Sequence, residues 1–522
     1  MNNLFNNKYQ HDILGTSSCF DRVILKGSII PISYLKGLGQ FLSANNILLK
    51  DFLQYAKGLA EILKENAKSI AEEEGVQYIY FNNSNANKEK YIESKIKERG
   101  NHPGLVAVIS SLEVDNSFDI FRNKETHKLE LVQRKRKCLH IYFYFIDELL
   151  GLCHFRVQTF FPFKVQIYFN GHEKLACDLD NAGISYQKDD NCFTWIDDLV
   201  KAQEFADNLD VAKLHALFDK WVNKYVPVLK QLRQKWQLSY HWSTKQIEYA
   251  TDVIFKSQQK LDNIFEQLLQ YAVISVLPND IMSFLGKKLK GSQFGRIETS
   301  SKKSYLGYRI KHKNGAISIK MYNKSGNVLR IEVTFNNVSE LKIEREVKQR
   351  NGQTVKKLAN MKKSIYSMEH IIRFGKAATK RYLDFLSKME DNSKGIQELC
   401  QLTERQTENS KNYKGFNPLN REDFLIFREL LDGMFIANGF TNKNLKTALS
   451  QQLENLNWTT SKVSRLIKRF RVFGLIKKVT KRYRYFLTEK GRLLIILAVK
   501  LRTMTAIPAI DALVQSLNLK IA

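Results

Sequence analysis

Apolar positions recur along this chain with two different periods, and the period predicts which segments are helices and which are strands. Over residues 48–74 they return every three or four positions, which is typical of an amphipathic helix. Over residues 138–169 three successive runs alternate apolar and polar side chains across short links, which predicts an antiparallel meander. Alternating runs beside the turn glycines Gly315 and Gly326 predict further strand pairs. The pattern therefore predicts an α+β multidomain protein with a central antiparallel sheet and helices.

Changes in this pattern divide the chain into four parts. Residues 1–200 are predicted to form a mixed α+β domain that holds the antiparallel sheet. Residues 201–390 are predicted to be a mainly helical region that contains a β-hairpin unit at 306–336. Residues 391–419 are polar and predict a linker. Residues 420–522 are predicted to be a separate terminal domain.

The segment 241–255 carries two acids on a stretch that we interpret as a helix beginning after Ser243. Glu248 and Asp252 are four residues apart and therefore share one helix face. Two carboxylates in that arrangement disfavour each other unless a cation or a basic side chain lies between them. Both an ion pair with the basic surface and a metal site are compatible with this spacing.

The terminal domain has the most informative pattern, which lies over residues 460–492. Its helix has an inward apolar stripe at spacings of three and four, formed by Val463, Leu466, Ile467 and Phe470. The helix ends before Gly474, and a short basic hairpin then leads into another helix. A helix sized for the major groove beside a β-hairpin is the geometry of a winged helix-turn-helix. The sequence therefore predicts a C-terminal winged helix-turn-helix.

Charge points to a polyanionic partner for this domain. The chain has 82 Lys and Arg against 53 Asp and Glu, a formal net charge of +29. From Arg421 to the end there are 19 basic and 7 acidic residues, so the surplus is concentrated there. Such a surplus favours nucleic acid or an anionic surface. We predict phosphate contacts by the basic side chains of the helix and hairpin, namely Lys462, Arg465, Lys468, Arg469, Lys477, Lys478, Lys481, Arg482 and Arg484.

Other compartments and site types are less compatible with the composition. No run reaches the roughly 18 uninterrupted apolar residues of a spanning helix, so we expect no membrane partner. The six cysteines are scattered without a CxxC pair, which is typical of free thiols in a reducing cytosol rather than of a disulfide scaffold or zinc site. We therefore expect a cytoplasmic protein, and we leave oligomerisation open.

The terminal segment resembles the MarR-type winged helix. Gly474-Leu-Ile-Lys-Lys is similar to the turn that leads into the wing in that family, and Tyr485-Phe-Leu-Thr-Glu-Lys-Gly-Arg is similar to its return strand and following helix. The resemblance covers about residues 420–505 and implies the fold, not a small-molecule-sensing repressor. As a whole, the chain also resembles a family of uncharacterised bacterial proteins, which supports the division into domains.

The middle region is similar to trans-acting rolling-circle replication initiators. Lys320-Met-Tyr-Asn-Lys followed by Val328-Leu-Arg-Ile-Glu-Val-Thr-Phe resembles a strand pair of that family. The resemblance implies that Glu332 binds Mg²⁺ or Mn²⁺ and that Tyr382, or alternatively Tyr366, attacks a DNA phosphate. Asp252 is the best remaining acid for a second metal ligand. The pattern departs from the family at Asn323, where an Asp is usual, and it lacks a His-rich motif.

Three functions are compatible with these features. The first is a DNA-binding protein of a mobile or extrachromosomal element, which grips DNA with its terminal domain and nicks it in a metal-dependent step. The second is a DNA-binding transcriptional regulator without enzymatic activity. The third is a structured-RNA-binding protein, in which the basic, aromatic strands of residues 134–168 stack on unpaired bases.

Overall fold

The computed structural model describes residues 3–82, 87–236, 238–289, 296–389, 398, 400–452, 457–479 and 483–510. The chain forms two compact units. The first contains Met1–Asp262, Ser304–Gly307 and Ala316–Lys380, and the second contains Asn263–Lys303, Tyr308–Gly315 and Arg381–Ala522.

The described part of the chain before residue 390 contains both β-strands and α-helices. Its strands are β1 Ile13–Ser28, β2 Tyr78–Phe81, β3 Gly104–Arg122, β4 Leu129–Asp147, β5 Gly151–Gln158, β6 Val165–Asn170, β7 Tyr186–Lys188, β8 Phe193–Ile196, β9 His241–Phe255, β10 Ile297–Ser304, β11 Gly307–Asn314, β12 Ile317–Asn323, β13 Val328–Phe335, β14 Lys342–Lys348 and β15 Thr354–Asn360. Its α-helices are α1 Leu4–Lys8, α2 Leu35–Ala44, α3 Phe52–Glu73, α4 Lys88–Arg99, α5 Gly171–Asn181, α6 Leu199–Asp207, α7 Val211–Tyr225, α8 Val228–Lys235, α9 Gln258–Ile274, α10 Pro278–Phe284 and α11 Met368–Leu386.

Nine strands of the first unit form one large mixed sheet in the order β12-β13-β9-β1-β6-β5-β4-β3-β2. Neighbouring strands are antiparallel except β2 and β3, which are parallel. The predicted meander β4-β5-β6 and the predicted hairpin β12-β13 are confirmed. Strands β9 and β13 pair in the same sheet as β1, so the predicted boundary at residue 200 falls inside this sheet.

One face of the sheet is apolar and packs against helices of the first unit. Phe143 stacks on Tyr225 of α7 with 4.1 Å between ring centroids, and Phe145 lies 4.7 Å from Trp221 of the same helix. On β9, Tyr249 packs directly on Gly375 of α11, where an added Cβ would lie 2.5 Å from the tyrosine ring. Burial of these large side chains is the main stabilising contribution to the unit.

The predicted helix at 241–255 is wrong, because this segment is the central strand β9. It pairs with β1 on one side and with β13 on the other. The β-branched and aromatic side chains of Ile247, Tyr249, Thr251 and Val253 alternate along it, and all are buried. Alternation of such residues favours a central strand over a helix. A spacing of four also puts two residues on one face of a strand, so it could not decide between the two structures.

The second unit ends in a compact group of helices and one hairpin. Its helices are Arg421–Leu430, Gly433–Asn438, Asn442–Gln452, Thr460–Val472 and Glu489–Lys500, and its hairpin pairs Ile476–Lys478 with Tyr485–Leu487. We call the helix Thr460–Val472 the basic helix and the hairpin the terminal hairpin. The predicted inward stripe of the basic helix is buried, and Gly474 has the positive φ of +67° that ends it. A single bridge between Phe440 and Tyr485 adds a third short strand to the hairpin.

Much of the predicted linker 391–419 is structured. Gln406–Glu408 and Lys411–Tyr413 form a two-stranded hairpin, and Leu402 and Phe416 are buried in the core of the terminal group. Phe416 stacks on Phe470 of the basic helix at 5.2 Å. A few apolar side chains are thus enough to hold this polar stretch against the core of the terminal group. Residues 390–397 and 399, which belong to the same stretch, lie outside the described residues.

The helical stretch Glu489–Ile510 is the one described segment long and apolar enough to cross a membrane. Its first turns contribute Leu494, Ile495 and Ala498 to the core of the terminal group, and Lys500 and Arg502 interrupt it. Only 22% of this apolar stretch is buried, and a single helix of this kind is weak evidence for a membrane span. A cytoplasmic location stays a prediction.

Candidate functional site

The polar face of the sheet carries a buried network around Arg330 of β13. Its guanidinium donates from Nε to Asp252 Oδ1 and from Nη2 to Asp252 Oδ2, both at 2.7 Å. Nη2 also donates to the carbonyl of Asn191 at 2.6 Å and lies 3.0 Å from His172 Nε2. Nη1 lies 3.5 Å from Asp21 Oδ1. The side chain of Arg330 is 0% exposed, so this is a fully desolvated bidentate ion pair of the kind that arginine forms best.

His172 reaches this network because of a close approach between α5 and β1. The helix starts at Gly171, where a Cβ would lie only 2.0 Å from the carbonyl oxygen of Phe20, so no larger residue fits. Asn170 caps the helix by accepting from the His172 backbone N–H. The imidazole then lies with Nδ1 3.3 Å from Asp21 Oδ1 and Nε2 3.3 Å from Asp252 Oδ2.

Charged groups of both signs meet in this network. Burial would raise the pKa values of Asp21 and Asp252, but Arg330 and His172 outweigh it and lower both. Burial and the nearby guanidinium would lower the pKa of His172, yet Cys19 and the two carboxylates raise it well above its usual value. Both carboxylates therefore face the Arg330 guanidinium and the His172 ring. A closed network of this kind holds strands and helix together and leaves neither oxygen of Asp252 free for a metal.

A second group of acids lies next to this network. Asp21, Glu248 and Glu332 are all buried, and each offers a carboxylate oxygen within 4.8 Å of the others. Glu332 accepts from the Tyr322 hydroxyl at 2.8 Å and is paired with Lys320. We call Asp21, Glu248 and Glu332 the acid triad.

The acid triad fits a divalent cation in ligand type, since carboxylate oxygens are what Mg²⁺ and Mn²⁺ prefer. Burial and the Glu332 carboxylate raise the pKa of Glu248, so negative charge is crowded there. The Lys320 ammonium, however, bridges Glu332 and Glu248 and lies 3.6 Å from Glu248 Oε1. A metal ion would have to displace that ammonium from between the two glutamates.

The structure separates the residues that the replication-initiator resemblance brought together. Glu332 joins the acid triad, but Asp252 is bound by Arg330 instead, so the ion-pair interpretation of Asp252 is the one that the geometry supports. Its assignment as a metal ligand is corrected for that reason. Glu248, which shares the face of Asp252, is the β9 acid that lies near Glu332.

Tyr382 is in no position to act as a nucleophile. It is completely buried, and its hydroxyl lies 3.1 Å from His312 Nε2, while its ring packs edge-on against Phe284. Burial raises its pKa far above the usual value for a phenol. The alternative, Tyr366, is exposed, but its hydroxyl is held 2.7 Å from His215 Nδ1. The tyrosine whose hydroxyl contacts Glu332 is Tyr322, which sequence reasoning did not select.

Two predicted phosphate-binding residues of the basic helix are engaged within the protein. Arg469 donates to the carbonyls of Lys414 at 2.7 Å and Gly415 at 2.6 Å, lies 3.6 Å from Asp423, and stacks 3.7 Å above the Phe416 ring. Lys468 is paired with a glutamate of the preceding hairpin, Glu408. Arg469 is therefore a structural residue, and Lys468 is neutralised by its partner.

Other predicted contacts remain on the surface. Lys462, Arg465, Lys477 and Lys478 are exposed. Lys462 donates to the Asn457 carbonyl at 2.8 Å, and Lys478 lies 4.2 Å above the exposed Tyr483 ring. Arg484 is half-buried and donates to the Asn438 carbonyl at 2.7 Å. Lys481 and Arg482 lie outside the described residues.

A groove of about 1180 Å³ runs beside the basic helix. Lys462 and Arg465 of that helix line one part of it, and Lys411 and Lys414 of the preceding hairpin line another. Its volume exceeds the roughly 300–1,000 Å³ of most small-molecule pockets. Glu422 and Asp423 also line the groove, so basic side chains outnumber acidic ones there but both signs are present. An excess of cations along one groove is suited to an extended polyanion.

The aromatic side chains of residues 134–168 are not arranged as an open stacking platform. Tyr142, Tyr144, His154 and Tyr168 contact one another, with His154 and Tyr168 stacked at 5.1 Å. Both Tyr142 and Tyr144 are 7% exposed. These rings pack with each other and with α4, so base stacking by them would require the sheet to be uncovered first.

Comparison of the chain with protein-family models gave no match, and comparisons with curated proteins and with solved structures gave none either.

Proposed function

We propose that this protein binds nucleic acid, with duplex DNA as the first candidate, through the terminal part of its second unit. Helices Asn442–Gln452 and Thr460–Val472 followed by the terminal hairpin have the order of a winged helix-turn-helix, in which the second helix enters the major groove. The first contacts of this surface would be with phosphates, because its exposed groups are lysines and arginines.

The observation that carries this proposal is the segregation of charge and apolar side chains on the basic helix. Val463, Leu466, Ile467 and Phe470 are buried, whereas Arg465 is exposed and makes no hydrogen bond or ion pair with the residues that the structure describes. Lys477 and Lys478 extend the same cationic surface onto the terminal hairpin. A surface that served only for solubility would mix charges of both signs.

Binding to a labelled duplex across a salt series tests the proposal. We expect the affinity to fall steeply with salt and the slope of log K against log[salt] to become about 1.8 smaller when Lys477→Gln and Lys478→Gln remove two phosphate contacts. Lys201→Gln, an exposed lysine on α6, is the matched control and should change nothing. A salt-independent affinity, or equal effects of the control, would refute the proposal. A structured RNA that outcompetes the duplex would reassign the partner to RNA.

The acid triad supports a second candidate function, metal-dependent nicking of DNA as in the replication of a mobile element. Three buried carboxylates within 4.8 Å favour it. A bound Mg²⁺ or Mn²⁺ would supply electrophilic stabilisation of a phosphate there. The chain itself provides the ligands, and Glu332 accepts a hydrogen bond from the Tyr322 hydroxyl at 2.8 Å, where the carboxylate could accept the phenolic proton. Burial and the Glu332 carboxylate raise the pKa of Tyr322 well above its usual value, so a bound metal would have to offset both before this hydroxyl could attack.

A covalent protein–DNA adduct formed with single-stranded DNA and Mn²⁺ is the readout for this second function. We expect Tyr322→Phe and Glu332→Gln to abolish it and Tyr382→Phe to leave it intact. If no adduct forms under any of these conditions, the nicking proposal is refuted, and DNA binding without enzymatic activity becomes the function to test. If Tyr382→Phe alone removes the adduct, the assignment of Tyr322 is wrong.

A further inference from the structure

A small cavity opens on the polar face of the sheet. It has a volume of about 120 Å³ and is lined by side chains of β1, β3, β4, β5, β6 and β9 and of the residue before β6, including Lys26, Asp115, His140, Arg156, Lys164 and Lys245. A water molecule occupies about 30 Å³ in the liquid, so the cavity has room for a group of a few heavy atoms and is too small for a drug-sized ligand.

A β-bulge turns Lys245 toward this cavity. The register between β1 and β9 shifts between Ile24 and Leu25, which leaves Lys245 as the extra residue on β9. Its ammonium donates to Gln166 Oε1 at 2.9 Å, and Arg156 Nη1 shares that acceptor at 3.4 Å. Bulges commonly re-aim a side chain in this way next to functional sites.

The cavity lining has more basic side chains than acidic ones to neutralise them. Arg156 is paired with Glu113 at 3.0 Å and with Asp115, the one carboxylate in the lining, at 3.8 Å. Lys164 donates to the Asn116 carbonyl, but none of Lys26, Lys164 and Lys245 has a carboxylate within salt-bridge distance among the residues that the structure describes. Three lysines therefore converge on a space whose single lining acid is already paired with Arg156.

The pKa values of the lysines are consistent with cations crowded into an enclosed space. Burial lowers the pKa values of Lys164 and Lys245, and repulsion from Lys26 lowers both further.

His140 also lines the cavity. It is 1% exposed and directs Nδ1 to the Cys138 carbonyl at 3.1 Å, while its Nε2 makes no hydrogen bond with described groups. That nitrogen lies 3.4 Å from Asp115 Oδ2, without hydrogen-bond geometry.

We propose that this cavity is a binding site for a phosphate group, with Lys26, Lys164, Lys245 and Arg156 as its cationic ligands. A tetrahedral oxyanion offers several acceptors at once, so it can receive the three ammonium groups and leave Gln166 to orient Lys245 and Arg156. The site belongs to the first unit and the proposed DNA surface belongs to the second, and they share no residue, so either can fail without the other.

The test measures binding of inorganic phosphate to the full chain by calorimetry, with sodium chloride used to hold ionic strength constant. We expect Lys164→Gln combined with Lys245→Gln to weaken phosphate binding at least tenfold. Lys68→Gln, an exposed lysine on α3, is the matched control and should bind as the unchanged protein does. Lys26→Gln replaces an exposed side chain at the rim and keeps the test valid if the double variant does not fold.

Competition then identifies the source of the phosphate. A 5′-phosphorylated oligonucleotide that displaces inorganic phosphate far better than its 5′-hydroxyl counterpart assigns the site to a strand end, whereas displacement by a mononucleotide alone assigns it to a small molecule. The competition is run with Lys477→Gln, Lys478→Gln and Arg465→Ala in place, which weakens binding at the proposed DNA surface. Phosphate binding no tighter than chloride binding, or equal binding by the lysine variants, overturns the proposal.

Discussion

Arg465 and Arg469 are one turn apart on the basic helix and carry the same charge. We expect their replacement by alanine to affect different properties, DNA binding for Arg465 and stability for Arg469. Arg465 is exposed and has no described protein partner. Arg469 makes two hydrogen bonds to carbonyls and stacks on the Phe416 ring. Arg465→Ala should therefore weaken DNA binding and spare the fold, whereas Arg469→Ala should destabilise the second unit.

The magnitude follows from the contacts that each side chain makes. Hydrogen bonds from charged donors contribute about 1.5–3 kcal/mol each, and a partly exposed cation–π contact adds about 0.5–1 kcal/mol. The ion pair between Arg469 and Asp423, at 3.6 Å with the arginine 20% exposed, contributes at most about 1 kcal/mol. Burial of the guanidinium, which lowers the pKa of Arg469, offsets part of this sum. We expect Arg469→Ala to cost about 2–4 kcal/mol, and Arg465→Ala less than about 0.5 kcal/mol of stability but about 1–3 kcal/mol of binding.

Hydrogen exchange followed by mass spectrometry separates the two effects, because it reports the stability of the basic helix within the full chain. Peptides that cover Thr460–Val472 should exchange faster in Arg469→Ala and at the original rate in Arg465→Ala. A duplex-binding assay on the same samples should show the loss for Arg465→Ala. If Arg469→Ala leaves exchange unchanged, or if Arg465→Ala alone accelerates it, our division of the helix into a docked and a free side is wrong.

Three further outcomes test the first unit. Arg330→Met should lower the free energy of unfolding by about 3–5 kcal/mol in urea titration, since it leaves Asp252 buried without its partner. The folded-state pKa of Glu113 is about 2, against an ordinary value of 4.5, so its stabilisation is complete above about pH 4.5 and is lost as the pH falls toward 2. Glu113→Gln should shrink that loss in acid titration. Gly171→Ala should lower the melting temperature strongly, because its Cβ would lie 2.0 Å from the Phe20 carbonyl oxygen.

Local periodicity predicted the elements whose packing is local. The basic helix and its buried stripe follow from spacings of three and four within thirteen residues, and both are confirmed. The same reasoning could not identify Arg469 as structural, because its acceptors are main-chain carbonyls fifty-five and fifty-four positions away. Carbonyls have no signature in a sequence, so a docked arginine and a free arginine look the same on a helical projection.

The candidate site on the sheet was harder to predict from the sequence than the basic helix. Asp21 comes to the acid triad from a register shift between Phe20 and Val23, and a bulge leaves no local pattern. Glu332 was predicted to be a metal ligand from the resemblance to replication initiators. Lys320, its partner across the β12-β13 hairpin, belongs to the same motif. Tyr322 could have been selected too, since a residue two positions from Lys320 on an alternating strand shares its face.

The separation of charge along β1 and β9 explains why this face suits a ligand. Asp21 and Lys26 lie on one strand, and Glu248 and Lys245 lie on its neighbour, with acids toward one end and lysines toward the other. Three strand residues span about 10 Å. The acids are paired with other basic side chains, Asp21 with Arg330 and Glu248 with Arg22 and Lys320. The lysines at the other end therefore keep no carboxylate partner among the described residues. A phosphate bound by the lysines would therefore lie about 10 Å from the acid triad, close enough for one nucleic-acid strand to reach both.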